Sequence, residues 1–283
     1  MAIELKGRPV AEKLLKHTSQ TINDLKKIDC LTTLAIVRVG SEHASVSYEN
    51  AAIKTMQRVG IAVKSIIFEE TIKQEAVIHA IHELNKNEKI HGILVLQPLP
   101  ETLSRHEVVH SIDPSKDIDG STPENMGRVV ENEKNILAPS TPQAVMALLE
   151  YYDISLEGKD VCVIGSSPVV GKPLTLMLLN KEATVSNLHI KTKNTKRYTK
   201  KADIVISATG VVELLKAEDI KDGAIVIDVG FGYKEGKPVG DVKYQEVAEK
   251  AYAITPVPGG VGVITTAVLA SQVAQTSWRQ CSE

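Results

Sequence analysis

Cysteine is scarce in this chain. Cys30, Cys162 and Cys281 are the only three in 283 residues, and they are odd in number, far apart and without Cys-x-x-Cys spacing. That argues against a disulfide framework or a thiolate zinc site and fits a reducing compartment, so a cytoplasmic location is expected. No apolar run approaches the roughly 18 residues of a membrane span, and Glu4, Lys6 and Arg8 precede any apolar stretch, so neither a span nor a signal peptide is expected. There is no dense block of lysine or arginine and the formal net charge is -2, which leaves no electrostatic footprint for nucleic acid or an anionic membrane. A small-molecule partner is favoured. Internal repeats and low-complexity tracts are missing as well.

What is present is an ordinary globular composition, 43% hydrophobic and 24% charged, in a length that suits one large or two medium domains. Apolar strand-like runs alternate with helical patterns, the signature of an α/β fold with a parallel sheet. In the first part, Leu34 to Val39, Ala62 to Phe68 and Ile93 to Leu96 read as strands, separated by helical stretches near Ser45 to Val59 and Lys73 to Asn85. Pro9 suits the N1 position of a first helix. In the second part, Val161 to Ile164, Thr184 to Leu188, Ile204 to Ser207 and Ala224 to Val229 read as strands. Asp113 to Asn135 is polar, proline-bearing and poor in periodicity, and the domain boundary is expected there or just after it. A final helix is expected from about Thr265.

Two loops carry chemistry. Thr255 to Thr265 reads Thr-Pro-Val-Pro-Gly-Gly-Val-Gly-Val-Ile-Thr, where Pro256 and Pro258 fix φ and Gly259, Gly260 and Gly262 permit positive φ and close approach. The segment therefore reads as a rigid ligand-facing turn that opens a helix. Gly165 to Pro173, after the first strand of the second part, places small residues where a dinucleotide pyrophosphate would meet a helix N-terminus, although its Gly-x5-Gly spacing is not Gly-x-Gly-x-x-Gly. After the next strand no acidic residue grips ribose hydroxyls; Lys191 and Lys193 stand there instead, which suits a 2′-phosphate.

Taken together, these segments, with Pro114 to Gly120 (Pro-Ser-Lys-Asp-Ile-Asp-Gly) and Ile225 to Gly230, closely resemble the methylenetetrahydrofolate dehydrogenase/cyclohydrolase (FolD) family over essentially the whole chain. The resemblance implies an N-terminal folate-binding α/β domain over residues 1–138 and a Rossmann-type NADP-binding domain over 139–264. It also implies a cleft between them and a homodimer; the final helix, at 265–283, has an apolar face and no domain of its own, so it is expected to pack back on the first domain. The reaction implied is the interconversion of methylene-, methenyl- and formyl-tetrahydrofolate. Folate would lie against Tyr48, Ala52, Val95, Leu96, Gln97, Asp119 and the backbone of Pro258, Gly259, Gly260, Val261 and Gly262. The cofactor would lie against Gly165, Ser166, Ser167, Val170, Gly171, His189, Ile190, Lys191, Gly230 and Phe231. No metal is implied.

The chain departs from the family pattern at chosen places. Tyr48 and the pterin-holding Asp119 are kept, but the hydrolytic lysine four residues after the tyrosine is replaced by Ala52, and the glutamine that tunes it by Leu96. Lys54 and Gln97 are neighbouring substitutes. Two residues along a helix is about 200° of rotation and one residue along a strand reverses the side chain, so each should point the wrong way. Oxidising the methylene carbon needs positioning against a nicotinamide, whereas hydrolysing the methenyl cation needs water activation and proton shuttling. A working dehydrogenase with weak or absent cyclohydrolase is therefore expected. Full bifunctionality through Lys54 or Gln97, and a non-catalytic folate or nucleotide binder, are the alternatives. Ser166 and Ile190 replace family contacts to the 2′-phosphate, so NADP is expected with NAD as competitor, and Val263 replaces a family proline. His106-Glu107-Val108-Val109-His110 is a literal zinc-protease motif, but no third ligand follows at a familiar spacing. Asp228, at a strand end, reads as structural.

Overall fold

The computed structural model describes residues 2–282. In chain order the elements are β1 (Ile3–Glu4), α1 (Gly7–Lys27), β2 (Thr33–Val39), α2 (His43–Val59), β3 (Ala62–Phe68), α3 (Gln74–Lys86), β4 (Gly92–Val95) and α4 (Arg105–His110). There follow α5 (Pro123–Val130), α6 (Ser140–Tyr151), β5 (Asp160–Ile164), α7 (Gly171–Leu179), β6 (Thr184–Leu188), α8 (Lys196–Thr199), β7 (Ile204–Ser207) and β8 (Ile225–Asp228). The chain finishes with β9 (Gly232–Lys234), β10 (Lys237–Val239), α9 (Tyr244–Lys250), β11 (Ala253–Ile254) and α10 (Gly262–Ser282). They form two compact units. One is built on residues 139–265 with the N-terminal segment and 129–133, the other on 12–128 with 134–138 and the C-terminal helix from 266.

In the second of these units, β2 is the middle strand of a parallel sheet ordered β3-β2-β4, with Thr33 level with Ala62 and Leu34 level with Gly92. A strand buried on both faces needs a continuous apolar run, and Leu34, Ala35, Ile36 and Val37 are each fully buried. Ala35, Val37 and Val39 pack with Ile93 and Val95 against Val77, Ile81 and Leu84 of α3 and Val108 of α4. The α3 trio falls at i, i+4 and i+7, one face of a helix. From α2 the buried side chains are Ser45, Glu49, Ala52, Met56 and Val59. Glu49 is tolerated because Arg38 Nε donates to its Oε2 at 2.6 Å and Ser65 Oγ to its Oε1 at 2.7 Å, so the buried charge is fully partnered.

One buried side chain of the C-terminal helix, Gln272, serves the irregular chain of this unit. Gln272 Nε2 donates to the carbonyls of Ile118 (2.6 Å) and Ala138 (3.1 Å), while its Oε1 accepts the N–H of Ala138 at 2.9 Å. Three buried backbone groups in otherwise irregular chain are thereby satisfied.

The unit built on 139–265 holds a six-stranded sheet ordered β1-β11-β8-β7-β5-β6, parallel throughout. The expected α/β class and Rossmann-like sheet are present, and the seven strands and two helices bounded from sequence lie within two residues of their expected limits. Several expectations need correction. The polar stretch Asp113 to Asn135 contains a helix, α5, whose 8 residues make little more than two turns. The final helix starts at Gly262 rather than Thr265, because Gly262 takes helical rather than left-handed backbone. Pro9 is the third helical residue rather than N1; its missing N–H is among those of the first turn that have no helical acceptor.

Replacing Gln272 by Leu keeps the volume and removes all three hydrogen bonds. The expected loss is about 2–4 kcal/mol, read from urea unfolding; a loss below half a kcal/mol would mean that the Ile118 and Ala138 backbone finds other partners.

Candidate active site

Parallel strands collect their outgoing loops at one edge, and the order of the six-stranded sheet reverses at β5, between β6 and β7. The loop leaving β5 at that point is Gly165–Val170. Gly165 has φ +121°, a region L side chains rarely adopt, and a Cβ there would lie 2.4 Å from the carbonyl oxygen of Ala208. At the start of α7, a Cβ on Gly171 would lie 2.0 Å from the oxygen of Gly165. Both glycines are therefore required for the turn to close on itself. Ser167 Oγ accepts the N–H of Val170 at 3.1 Å and of Gly171 at 3.5 Å, which orders the helix start. Asn187 Nδ2 donates to Gly165 O at 2.8 Å from the neighbouring β6, a support that sequence reasoning missed.

Beyond β6, His189 and Lys191 form a tight turn. The N–H of His189 donates to Thr192 Oγ1 at 2.9 Å and that of Lys191 to His189 Nδ1 at 3.2 Å. Ile190 at its tip is 97% exposed, and Lys191 and Lys193 are exposed too. The turn thus presents charge at the rim of the same edge that carries the glycine loop.

At the end of β8, Asp228 is buried and accepts three backbone N–H groups, those of Gly230 (3.0 Å) and Asp241 (3.0 Å) on Oδ1 and of Val242 (2.9 Å) on Oδ2. Burial, helped by the Asp241 charge, pushes its carboxyl up to about 7 against the pull of those amides. Asp241, fully buried, accepts from Ser207 Oγ (2.8 Å), Thr209 N (2.7 Å) and Thr209 Oγ1 (2.8 Å). The two carboxylates hold the strand ends of β7 and β8 in register with the segment that returns from the β9–β10 hairpin. Gly230 lies inside this network and Phe231, 56% exposed, just outside it. The glycine-rich turn follows β11 at the same edge. Gly259 has φ +109°, whereas Gly260 and Gly262 do not take positive φ, contrary to expectation; at Gly260 a Cβ would lie 2.5 Å from Pro256 O, so the requirement there is closeness.

In the unit built on 12–128, the other candidates gather around the end of β4. Ser45 Oγ donates to Gln97 O at 3.4 Å, bringing the first turn of α2 to the segment after β4. Ile93 N donates to Lys116 O at 2.7 Å and pairs in parallel with Asp117, so Lys116 to Gly120 runs beside β4. Lys116 Nζ closes the end of α3 through the carbonyls of Leu84, Asn85 and Asn87 at 3.3, 2.7 and 2.9 Å. Asp117, fully buried, accepts Thr122 N at 2.8 Å and Asn125 Nδ2 at 3.1 Å. Sequence reasoning missed these two scaffold roles; they leave Asp119 as the half-buried carboxylate of the segment. Tyr48 is half-buried on α2. Ala52 is fully buried and Leu96 nearly so, while Lys54 and Gln97 are exposed. The two positions where a titratable side chain and its amide partner were looked for are thus held by a methyl and an isobutyl group.

The two histidines of the His-Glu-x-x-His motif stack in the open, ring centroids 3.8 Å apart, and Glu107 accepts from Gln74 Nε2 at 2.6 Å. Among the described residues the group with metal-ligand closeness is a different one, Cys30, His91 and Cys281. Here the reading of the cysteines is corrected. Cys30 and Cys281, 251 residues apart in sequence, are disulfide-bonded with Cα atoms 6.3 Å apart, because the chain beyond α1 and the last turn of α10 meet; spacing along the chain says nothing of such a meeting.

Residues 5–119 match the family model described as tetrahydrofolate dehydrogenase/cyclohydrolase, catalytic domain, and residues 139–281 match that family's NAD(P)-binding domain. A bifunctional protein FolD from Dictyoglomus thermophilum is 44% identical over 95% of both chains. The crystal structure of a bifunctional FolD methylenetetrahydrofolate dehydrogenase/cyclohydrolase from Campylobacter jejuni superimposes with a TM-score of 0.96 at 40% identity, covering 99% of each chain. A FolD from Trypanosoma brucei, crystallised with NADP cofactor and inhibitor, gives 0.94 at 32% identity over 98% of each.

For Asp228, the carboxyl titrates near 7 when folded and near 4 when unfolded, so the folded state holds the extra proton in between. Its contribution to stability is complete below about pH 4 and lost as pH rises through about 7. Urea unfolding at pH 4.5 and 7.5 should therefore show a fall with pH that is smaller in Asp228→Asn; an equal fall in both proteins would assign the slope to other groups.

Proposed function

The chain belongs to the tetrahydrofolate dehydrogenase/cyclohydrolase family, and from that premise we propose that it oxidises 5,10-methylenetetrahydrofolate to the 5,10-methenyl form with NADP while lacking effective cyclohydrolase activity. NADP, when bound, accepts the hydride. The backbone closeness at Gly165 and Gly171 fits such a group, since any Cβ there would fill the space where the loop folds onto the helix start. Gly165, Ser166, Ser167, Val170 and Gly171 would hold the pyrophosphate, His189, Ile190 and Lys191 the adenosine side, and Gly230 and Phe231 the nicotinamide side. The rim lysines and the NADP carried by the Trypanosoma brucei relative support NADP over NAD.

On the folate side, Tyr48 would offer its ring and Asp119 its carboxylate to the pterin. Hydride departure leaves a cation spread over two adjacent nitrogens. That step calls for alignment rather than for an acid or base. Opening the methenyl ring is different, because water must lose a proton as it adds to the carbon and a ring nitrogen must gain one as its bond to that carbon breaks.

The observation that carries the reading is the pair Ala52 and Leu96. Both are buried, and neither side chain can donate, accept or titrate. Lys54, exposed on α2, lies outside the buried stripe to which Ala52 belongs, which counts against its taking over the role. As in the family, a homodimer of this chain is the proposed assembly.

A time course with 5,10-methylenetetrahydrofolate and NADP should accumulate methenyl product, with formyl product no faster than in an enzyme-free control. Formyl product keeping pace with cofactor reduction would sink the proposal. Ala52→Lys combined with Leu96→Gln should restore hydrolysis by ~10²-fold or more with dehydrogenase rates within a few-fold; a double variant that folds and gains nothing would place the missing chemistry elsewhere.

A further inference from the structure

At the edge of the three-stranded sheet where β2 and β4 begin, the bonded pair Cys30–Cys281 has a third member. His91 Nε2 lies 3.6 Å from Cys30 Sγ and 3.5 Å from Cys281 Sγ. The ring is pinned from the other side: the N–H of Thr33 donates to Nδ1 at 3.2 Å, while the N–H of His91 donates to Thr33 O at 2.9 Å. Because Nδ1 accepts, the proton of the neutral ring sits on Nε2 and points at both sulfurs. Burial, with the Lys116 charge second, lowers the pKa of His91 and keeps the ring neutral. This tautomer argues against a metal. An ion on Nε2 would drive the proton to Nδ1, setting it head to head with the Thr33 N–H. A donor aimed at sulfur instead stabilises a thiolate.

We propose that Cys30, Cys281 and His91 form a reversible thiol–disulfide site that exchanges with low-molecular-weight disulfides. Cys281 is half-buried and Cys30 buried, which assigns the order of events. The Cys281 thiolate attacks one sulfur of the small disulfide, forming a mixed disulfide and releasing one small thiolate. The Cys30 thiolate then attacks Cys281 Sγ, closing the protein disulfide and releasing the second. Two protein thiols are oxidised, one small disulfide is reduced to two thiols, and both protein protons leave with them. Cys162 takes no part, since burial pushes its thiol up to about 12.

The bond fastens the last turn of α10. That turn is otherwise attached through Gln280, whose Nε2 donates to His91 O at 3.3 Å, and Arg279, which donates to Asn135 O. The same helix carries Gln272, which supports Ile118 beside Asp119. Reduction should therefore loosen the helix end while Gln272 keeps its hold.

The test equilibrates the full chain in mixtures of reduced and oxidised glutathione, traps free thiols by alkylation and counts them on the intact protein. One alkylated cysteine at the oxidising end and three at the reducing end are expected, in a single transition, with a 30–281 cross-link in the peptide map. The oxidised form should melt about 5 °C or more above the reduced one, and Cys281→Ser should abolish that difference whereas Cys162→Ser keeps it. Three alkylated thiols in every mixture, a 281–281 link between chains, or a stoichiometric metal ion in the reduced protein would each overturn the proposal.

Discussion

The direction of the strands is the constraint on which the rest depends. A parallel sheet cannot be closed by tight hairpins, so every strand must be followed by a crossover, and every loop of one kind emerges at the same edge. In the six-stranded sheet that edge collects the turn after β5, the turn after β6, the Asp228 network after β8 and the proline–glycine turn after β11. The three-stranded sheet obeys the same rule on its own account, with Gln97 leaving β4 and meeting the first turn of α2. Function-bearing residues far apart in sequence therefore need only sit one or two places beyond a strand to become neighbours.

Such edges consist mostly of irregular chain, whose backbone groups lack ladder partners. The molecule answers with buried polar side chains rather than with more regular structure. At the outgoing edge Asp228 takes three amides; in irregular chain elsewhere Asp117 takes one amide and an Asn side chain, Lys116 takes three carbonyls, and Gln272 takes an amide and two carbonyls. Each acts like a short stretch of secondary structure in places where φ and ψ must stay irregular. The cost falls on the carboxylates, and Asp228 bears it most plainly as a carboxyl held near neutrality by its own burial.

This division explains what the sequence could and could not reveal. The long strands were legible because burial on both faces demands continuous apolar runs, and α3 because burial on one face demands a period near 3.6. β1 and β11 were not, since two residues carry no period; their places come from pairing with each other and with β8. The β9–β10 hairpin, largely exposed, has no apolar alternation to betray it. At the candidate site the glycine loops were legible because only glycine meets their geometry, while Asp241, Asn187 and Asp117 were not, since a buried polar residue looks in sequence like any surface one. The joining of Cys30 and Cys281 lies furthest from view, being a property of how two helix ends meet.

The same logic bears on Ala52 and Leu96. A lysine and its tuning glutamine in a buried setting are mutually dependent: the lysine requires a partner to bear burial, and the glutamine without it leaves an amide unsatisfied. Loss of the lysine alone would strand the glutamine, and loss of the glutamine alone would strand the ammonium group. Replacing both by apolar side chains removes the desolvation penalty altogether and is the change that costs the fold least. On the proposed reading, then, the two substitutions are a single physical event. Tyr48, Asp119 and the glycine loops lie outside that polar pair, and the close backbone contacts at Gly165, Gly171 and Gly260 involve neither position. A scaffold can shed proton transfer in this way and still align a carbon for hydride transfer, because alignment is supplied by rigid backbone and proton transfer by the titratable side chains that were removed.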